Sequence, residues 1–159
     1  MSAGSSKMFP LMKILIPTDG SENAQRAVQE ATAIAKQFGS ELIILNIISA
    51  VVPPVYSSKG VSIAASDYYS SYFDEAETRA KKVVNEAVDR AKNENVNARG
   101  IRLRTMSSVA DSILENASKE NVNLIVVGTR GLGGFQKLLL GSVSSAIVAH
   151  ARCAVLVVR

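Results

Sequence analysis

Tryptophan is absent from this sequence of 159 residues, and cysteine and histidine each occur only once. With four tyrosines and four phenylalanines, the chain offers few surfaces on which the bases of a single-stranded nucleic acid could stack. The single cysteine, Cys153, can form no internal disulfide and has no metal-ligating residue close to it in sequence. We expect Cys153 to lie in the core of a cytoplasmic protein, since reducing compartments preserve free thiols.

Long hydrophobic runs are also missing. The longest, residues 42–52, is broken by Asn46 and Ser49 and falls short of the roughly 20 apolar residues that span a bilayer. The first ten residues lack the apolar stretch of a secretory signal and predict a flexible tail before one domain over residues 11–159. The net charge of +4 comes without clustering of basic residues. We therefore expect a soluble protein that binds neither membrane nor nucleic acid.

Five short apolar runs alternate with stretches of helical periodicity, which is typical of an α/β fold. The predicted strands are residues 13–17, 42–48, 98–104, 124–127 and 154–158. The predicted helices are residues 22–37, about 69–93, a third capped by Ser107 or Ser108, and 142–151. Continuous Ile, Leu and Val in the second, fourth and fifth strands indicate burial on both faces, whereas the alternating third strand indicates an edge. The first helix is expected to bury Phe38.

We predict a single five-stranded parallel sheet in the order 3-2-1-4-5, with helices on both faces. Ligands of such sheets bind at the carboxyl ends of the strands, where the strand order reverses. In this order the reversal falls between the first and fourth strands, and right-handed crossovers bring both strand ends to the same rim. The connections after these two strands are therefore the candidate site.

The connection after the fourth strand is unusually rich in glycine and runs into a helix. Gly128 and Gly131 allow positive φ angles and a close backbone approach, and Gly141 and Ser142 are expected to present free amides. Such amides, together with the helix dipole, bind anions. The alternative is a glycine-rich surface loop followed by an ordinary serine cap.

Charged and hydroxyl side chains in the same connection favour a phosphate. Arg130 would add a charge-assisted bond, and the hydroxyls of Ser142 and Ser144 would donate to phosphate oxygens. Lys137 would reach a terminal phosphate or simply be solvated. The other long connection, residues 49–67, contains two prolines and a glycine, and we favour a mobile loop over an ordered binding element.

Asp19 follows the first strand and has two interpretations. With Glu22 it forms a capping-box pattern at the start of the first helix. Alternatively, its carboxylate contacts a ribose or a phosphate-bound metal ion, because an acid facing phosphate directly would repel it. The predicted convergence with Gly128 shifts the balance towards the second interpretation.

The spacing Gly128-x2-Gly131-x9-Gly141-Ser142 resembles that of the nucleotide-binding universal stress proteins, and the likeness extends along the chain from about Lys13. The resemblance implies an adenine nucleotide alpha hydrolase-like, Rossmann-like fold that binds ATP, with AMP or ADP as alternatives, together with Mg²⁺ or Mn²⁺. It implies Asp19 at the ribose and backbone bonds from Ile47 to adenine. It also implies a homodimer through the last strand. By the same resemblance, the residues lining the site are Pro17, Thr18, Asp19, Ser21, Ile47, Val127, Gly128, Arg130, Gly131, Gly141, Ser142, Val143 and Ser144.

Motifs of dedicated enzymes are missing from the sequence. There is no Gly-x4-Gly-Lys-Ser/Thr loop, no Gly-x-Gly-x2-Gly after the first strand and no serine elbow. His150 falls at a helix C-terminus, where an imidazole more often meets the dipole than catalyses. We therefore expect an ATP-dependent regulatory or stress-response protein with an unknown protein partner. The alternatives are a nucleotide-free homodimeric interaction module and a slow ATP hydrolase.

Overall fold

The computed structural model of the protein describes residues 12–51, 64–129 and 140–159. The predicted tail, most of the 49–67 connection, and Arg130, Gly131 and Lys137 lie outside these ranges. The strands are β1 (Lys13–Pro17), β2 (Glu41–Ser49), β3 (Ala98–Thr105), β4 (Leu124–Gly128) and β5 (Ala154–Val158). The helices are α1 (Glu22–Phe38), α2 (Ala64–Asn93), α3 (Val109–Lys119) and α4 (Ser142–His150).

The strands form one parallel sheet in the order β3-β2-β1-β4-β5, which confirms the predicted topology. The order reverses between β1 and β4, as the prediction requires. Their carboxyl ends lie side by side at one rim of the sheet.

Two apolar layers cover the two faces of the sheet, because successive side chains of a strand point to opposite sides. Ile14 and Ile16 of β1 belong to the layer built with α1 and α2. Leu15 belongs to the other layer, which includes Ile113 of α3 and Ile147 of α4. All five of these side chains are fully buried or nearly so. Burial on both faces explains the unbroken apolar runs of the central strands.

Three expectations about burial and one about a helix start are wrong. In β5, Ala154 and Leu156 are exposed, and neither side chain belongs to the apolar layer on either face of the sheet. Phe38 is 70% exposed, since it ends α1 just before the left-handed Gly39. Cys153 is only half-buried. Helix α2 begins at Ala64, inside the connection that was expected to be a loop. Among the described helices, none is long and apolar enough to cross a membrane.

Candidate functional site

Strands β1 and β4 separate towards the rim. Their pairing runs only from Ile14↔Leu124 to Leu15↔Ile125. By contrast, β1 remains paired with β2 as far as Pro17↔Leu45, and β4 with β5 as far as Gly128↔Val158. The sheet therefore opens between the ends of β1 and β4, which creates a crevice at the point where the strand order reverses.

The turn after β1 is held to the end of β2 by two hydrogen bonds. The Thr18 N–H donates to the Leu45 carbonyl at 2.8 Å, and Asn46 Nδ2 donates to the Thr18 carbonyl at 2.7 Å. Thr18 and Asn46 are both buried. Gly20 continues the turn with φ of 83°, a conformation that disfavours side chains, and its N–H donates to Thr18 Oγ1 at 3.3 Å. The turn is thus fixed in place rather than free at the surface.

Asp19 does not cap α1, so the capping-box interpretation is wrong. The N-cap is Ser21, whose Oγ accepts from the Ala24 N–H at 3.3 Å. Asp19 Oδ1 accepts from the Ser21 N–H at 2.9 Å, which fixes the carboxylate two residues before the N-cap, at the rim of the crevice. Ser21 is therefore a structural cap, and its hydroxyl oxygen is engaged in that role.

Gly128 is required by packing rather than by a positive φ. It lies in β4 outside the left-handed region, and a Cβ at this position would lie 2.8 Å from the backbone C and O of Asn23 in α1. The first turn of α1 therefore packs directly against the end of β4. This contact brings the Asp19 turn and the glycine-rich connection together at one rim, as the topology predicts.

The two ends of the glycine-rich connection are joined to each other. The Gly141 N–H donates to the Thr129 carbonyl at 2.7 Å, and Ser144 Oγ donates to the Gly128 carbonyl at 2.6 Å. The Thr129 N–H in turn donates to the Val158 carbonyl at 2.9 Å. The expectation of a free Gly141 amide is wrong, and the hydroxyl proton of the buried Ser144 points to a carbonyl instead of a ligand. These bonds anchor the start of α4 against the end of β4.

The N-terminus of α4 carries amides without a side-chain cap. Gly141 is the N-cap, and within the described residues no side chain accepts a hydrogen bond there, whereas Ser21 and Ser108 cap α1 and α3. The N–H groups of Ser142, Val143 and Ser144 belong to the first turn, where a helix supplies no carbonyl partner. Ser142 is exposed. First-turn amides and the positive end of a helix dipole are the features that favour an anion, and in α4 they lie beside the crevice.

The remaining predicted residues lie where the topology places them. Ile47 is half-buried near the carboxyl end of β2, and Val127 is buried in β4. The structure thus brings together at one rim Pro17, Thr18, Asp19, Ser21, Ile47, Val127, Gly128, Gly141, Ser142, Val143 and Ser144. Arg130 and Gly131 lie outside the described residues.

Sequence reasoning missed two residues of this rim, Asn46 and Thr129. Asn46 interrupts an otherwise apolar strand, and a buried polar side chain needs a hydrogen-bond partner, which is the signal that could have found it. Thr129 carries no comparable signal, because it acts through its backbone N–H and carbonyl.

A second hollow, of about 760 Å³, lies at the other end of α4, against the last turn of α3. Burial raises the pKa of the Cys153 thiol that lines it. Lys119, Arg152 and Glu115 also line this hollow, and the C-terminal ends of α3 and α4 add partial negative charge. The hollow offers no clear surplus of either charge, so we assign the candidate site to the rim.

Fold and rim together define a doubly wound α/β protein of the Rossmann-like class, in which the sheet opens at the carboxyl ends of β1 and β4. The universal stress protein family model matches residues 10–159 of the chain. The chain is 31% identical over 147 residues to universal stress protein YxiE of Bacillus subtilis, covering 92% of this chain and 98% of that protein. The chain therefore belongs to the universal stress protein family.

Solved structures of the family have the same fold. Universal stress protein UspA from Lactobacillus plantarum superimposes with a TM-score of 0.81 at 25% identity, covering 93% of this chain and 97% of that one. A universal stress protein solved in complex with cAMP superimposes with a TM-score of 0.64 at 25% identity, covering 94% and 97%. At least one structural relative therefore binds an adenine nucleotide.

Proposed function

We propose that the rim crevice binds an adenine nucleotide, with ATP as the first choice and ADP or AMP as alternatives. The observation that carries the proposal is the uncapped N-terminus of α4, held against the end of β4 beside the turn that carries Asp19. The relative in complex with cAMP supports the choice of an adenine nucleotide.

In this proposal each wall of the crevice meets one part of the nucleotide. The amides of Ser142 and Val143 hold the phosphates, and Ser144 keeps α4 in position through Gly128. Asp19 accepts hydrogen bonds from the ribose, and the backbone of Ile47 meets the adenine. Pro17, Thr18 and Val127 complete the walls, and Arg130 and Gly131 add phosphate contacts from the glycine-rich connection.

A divalent ion fits this arrangement as a companion of the phosphates. Among the described residues there is no group of three or more His, Cys, Asp or Glu side chains that could hold a metal ion. Mg²⁺ commonly binds through substrate phosphates with one or two carboxylates. Mg²⁺ or Mn²⁺ would therefore enter with the nucleotide, and contact with this ion is the alternative to the ribose role for Asp19.

We further propose that the protein acts in the cytoplasm as a nucleotide-responsive regulatory or protective factor, and not as a dedicated enzyme. Bound nucleotide would stabilise one arrangement of the rim, and an unknown protein partner would distinguish that arrangement from the empty one. Within the described ranges no strand pairs with the outer edge of β5, which favours a homodimer in which two copies pair through their last strands.

Thermal unfolding in the presence of Mg²⁺ with ATP, ADP, AMP or buffer alone tests the proposed binding. A ligand at a hundredfold excess over its dissociation constant stabilises a protein by ~2.7 kcal/mol, which for this size of domain is a rise of roughly 5–10 °C. An unchanged unfolding temperature with every nucleotide at millimolar concentration would reject the proposal.

Ser142→Glu separates phosphate binding from folding. A carboxylate in the first turn of α4 favours the helix by ~0.3–1 kcal/mol, so the ligand-free unfolding temperature should stay level or rise. The same charge repels phosphate, and we expect the ATP-dependent rise to disappear. The glutamine of Ser142→Gln has nearly the same size as the glutamate but no charge, so this variant should keep most of the ATP-dependent rise in unfolding temperature. Equal rises for the glutamate and glutamine variants would contradict the assignment of phosphate to α4.

A further inference from the structure

Asn46 is buried in β2, one residue beyond the last β2 residue that pairs with β1, and its side chain bonds to the main chain of the turn after β1. It is 7% exposed, and its Nδ2 donates to the main-chain carbonyl of Thr18, the first residue after β1. A buried amide makes such a bond only if the backbone brings the carbonyl within reach, and the distance of 2.7 Å is short for an N–H···O bond. The contact therefore joins β2 firmly to the turn that carries Asp19.

A continued parallel ladder would give this carbonyl a different donor. In a parallel pair, a residue that donates to residue j of its neighbour accepts from residue j+2. Thr18 donates to Leu45, so its carbonyl would ordinarily accept from the N–H of Ile47. The pairing of β1 with β2 instead ends at Pro17↔Leu45, and the Thr18 carbonyl accepts from Asn46.

The main chain of Ile47 faces the crevice at this point. Main-chain groups of residues i and i+2 of a strand point to the same side, and Leu45 points towards β1 because its carbonyl accepts from Thr18. The N–H and C=O of Ile47 therefore also point to that side, beyond the end of β1. One donor and one acceptor, side by side, match the adenine edge formed by N1 and the 6-amino group. Guanine carries a donor at N1 and an acceptor at O6, which is the opposite pattern.

We propose that Asn46 is a positioning residue that sets base specificity: by occupying the Thr18 carbonyl, it reserves the main-chain edge of Ile47 for adenine. The inference rests on the proposed function, since it concerns the base end of the same nucleotide. It assigns Asn46 no contact with the ligand. Its effect passes through Thr18 and Ile47, and it also fixes the spacing between the base and the ribose contact at Asp19.

Binding of ATP and GTP to wild type and Asn46→Ala, measured by titration calorimetry with Mg²⁺, tests this role. The two nucleotides share ribose and phosphates and differ in the base edge. We expect wild type to prefer ATP by about tenfold or more. In Asn46→Ala the Thr18 carbonyl is free to accept from Ile47, so ATP should bind about tenfold more weakly and the preference should fall to about twofold. Asn46→His, whose ring N–H can reach the same carbonyl, should restore most of the preference.

Thr32→Val is the matched control for loss of a buried hydrogen bond. Thr32 Oγ1 donates to the Val28 carbonyl at 2.7 Å in the middle of α1, away from the rim. Thr32→Val should keep the preference for ATP over GTP, even if it and Asn46→Ala both unfold more easily than wild type. Should Asn46→Ala not fold, Asn46→Ser takes its place with the same expected result, because a serine hydroxyl is too short to reach Thr18.

The outcomes separate this inference from the proposed function. If wild type binds neither nucleotide, both are overturned. If wild type prefers ATP and the Asn46 variants keep the same ratio of GTP to ATP affinity, the inference alone is overturned. An equal loss of affinity for ATP and GTP in Asn46→Ala would also overturn the inference, because a residue with a purely structural role would give that result.

Discussion

Gly100 and Gly128 both lie in strands that a helix approaches closely, and neither position has room for a Cβ. A Cβ on Gly100 would lie 2.2 Å from Val84 Cγ1, a side-chain atom of α2. A Cβ on Gly128 would lie 2.8 Å from the backbone of Asn23 in α1. The obstacle is a removable methyl group in the first case and main chain in the second, so the two glycines should respond differently to changes in their neighbours.

We expect Gly100→Ala to lower the free energy of unfolding by ~1–3 kcal/mol through overpacking. In a Val84→Ala background the clash is removed, and the same substitution should cost at least about 1 kcal/mol less. Gly128→Ala should cost a similar amount, and Asn23→Gly should give it little relief. Urea unfolding of the single and double variants measures these changes in the free energy of unfolding. Additive effects of Gly100→Ala and Val84→Ala would show that the helix shifts away instead.

At the scale of elements, the cap of α3 decides between two neighbouring serines that the sequence leaves open. Ser108 Oγ accepts from the Asp111 N–H at 3.0 Å, whereas the Ser107 N–H donates to Thr105 Oγ1 and its side chain is exposed. We expect Ser108→Ala to lower the free energy of unfolding by ~1 kcal/mol. Ser107→Ala is the control and should stay within ~0.5 kcal/mol of wild type. If urea unfolding showed a larger loss of unfolding free energy for Ser107→Ala than for Ser108→Ala, the assignment of Ser108 as the cap would be wrong.

The five strands could be predicted because each is a local run of apolar residues. Their arrangement could be predicted because right-handed crossovers between parallel strands allow few topologies. The start of α2 could not be predicted, since Ala64, Ala65 and Ser66 favour or tolerate a helix without giving an apolar period. The exposure of β5 depends on whether another element covers it, which a run of apolar letters cannot reveal.

Convergence at the rim was likewise predictable, but its hydrogen bonds were not. The bonds from Gly141 to Thr129 and from Ser144 to Gly128 depend on how closely α4 approaches the end of β4. That distance is set by packing of the whole layer, so the sequence indicated which segments meet at the rim but not that the Gly141 amide and the Ser144 hydroxyl bond to carbonyls there.

At the scale of the whole molecule, the two edges of the sheet differ in charge. Edge strand β3 carries Arg99, Arg102 and Arg104, and Glu77 of α2 lies within 3.7 Å of Arg102 and 3.5 Å of Arg104. Charged side chains on an edge discourage pairing with a second copy. Edge strand β5 has the sequence AVLVV, with no charged residue. If two copies pair edge to edge, β5 is therefore the edge that we expect them to use.

Leu156→Lys tests the proposed homodimer at the centre of that edge. Leu156 is 37% exposed, and a two-fold interface brings each β5 opposite its own copy, so two lysines would face each other there. We expect wild type to sediment as a dimer and Leu156→Lys as a folded monomer, with at least a tenfold rise in dimer dissociation constant from about 1.4 kcal/mol of lost affinity. Met106→Lys is the matched control, because Met106 is 78% exposed and follows the opposite edge strand. It should leave the dimer intact. Monomeric wild type, or equal weakening by both lysines in sedimentation velocity, would show that β5 is not the interface.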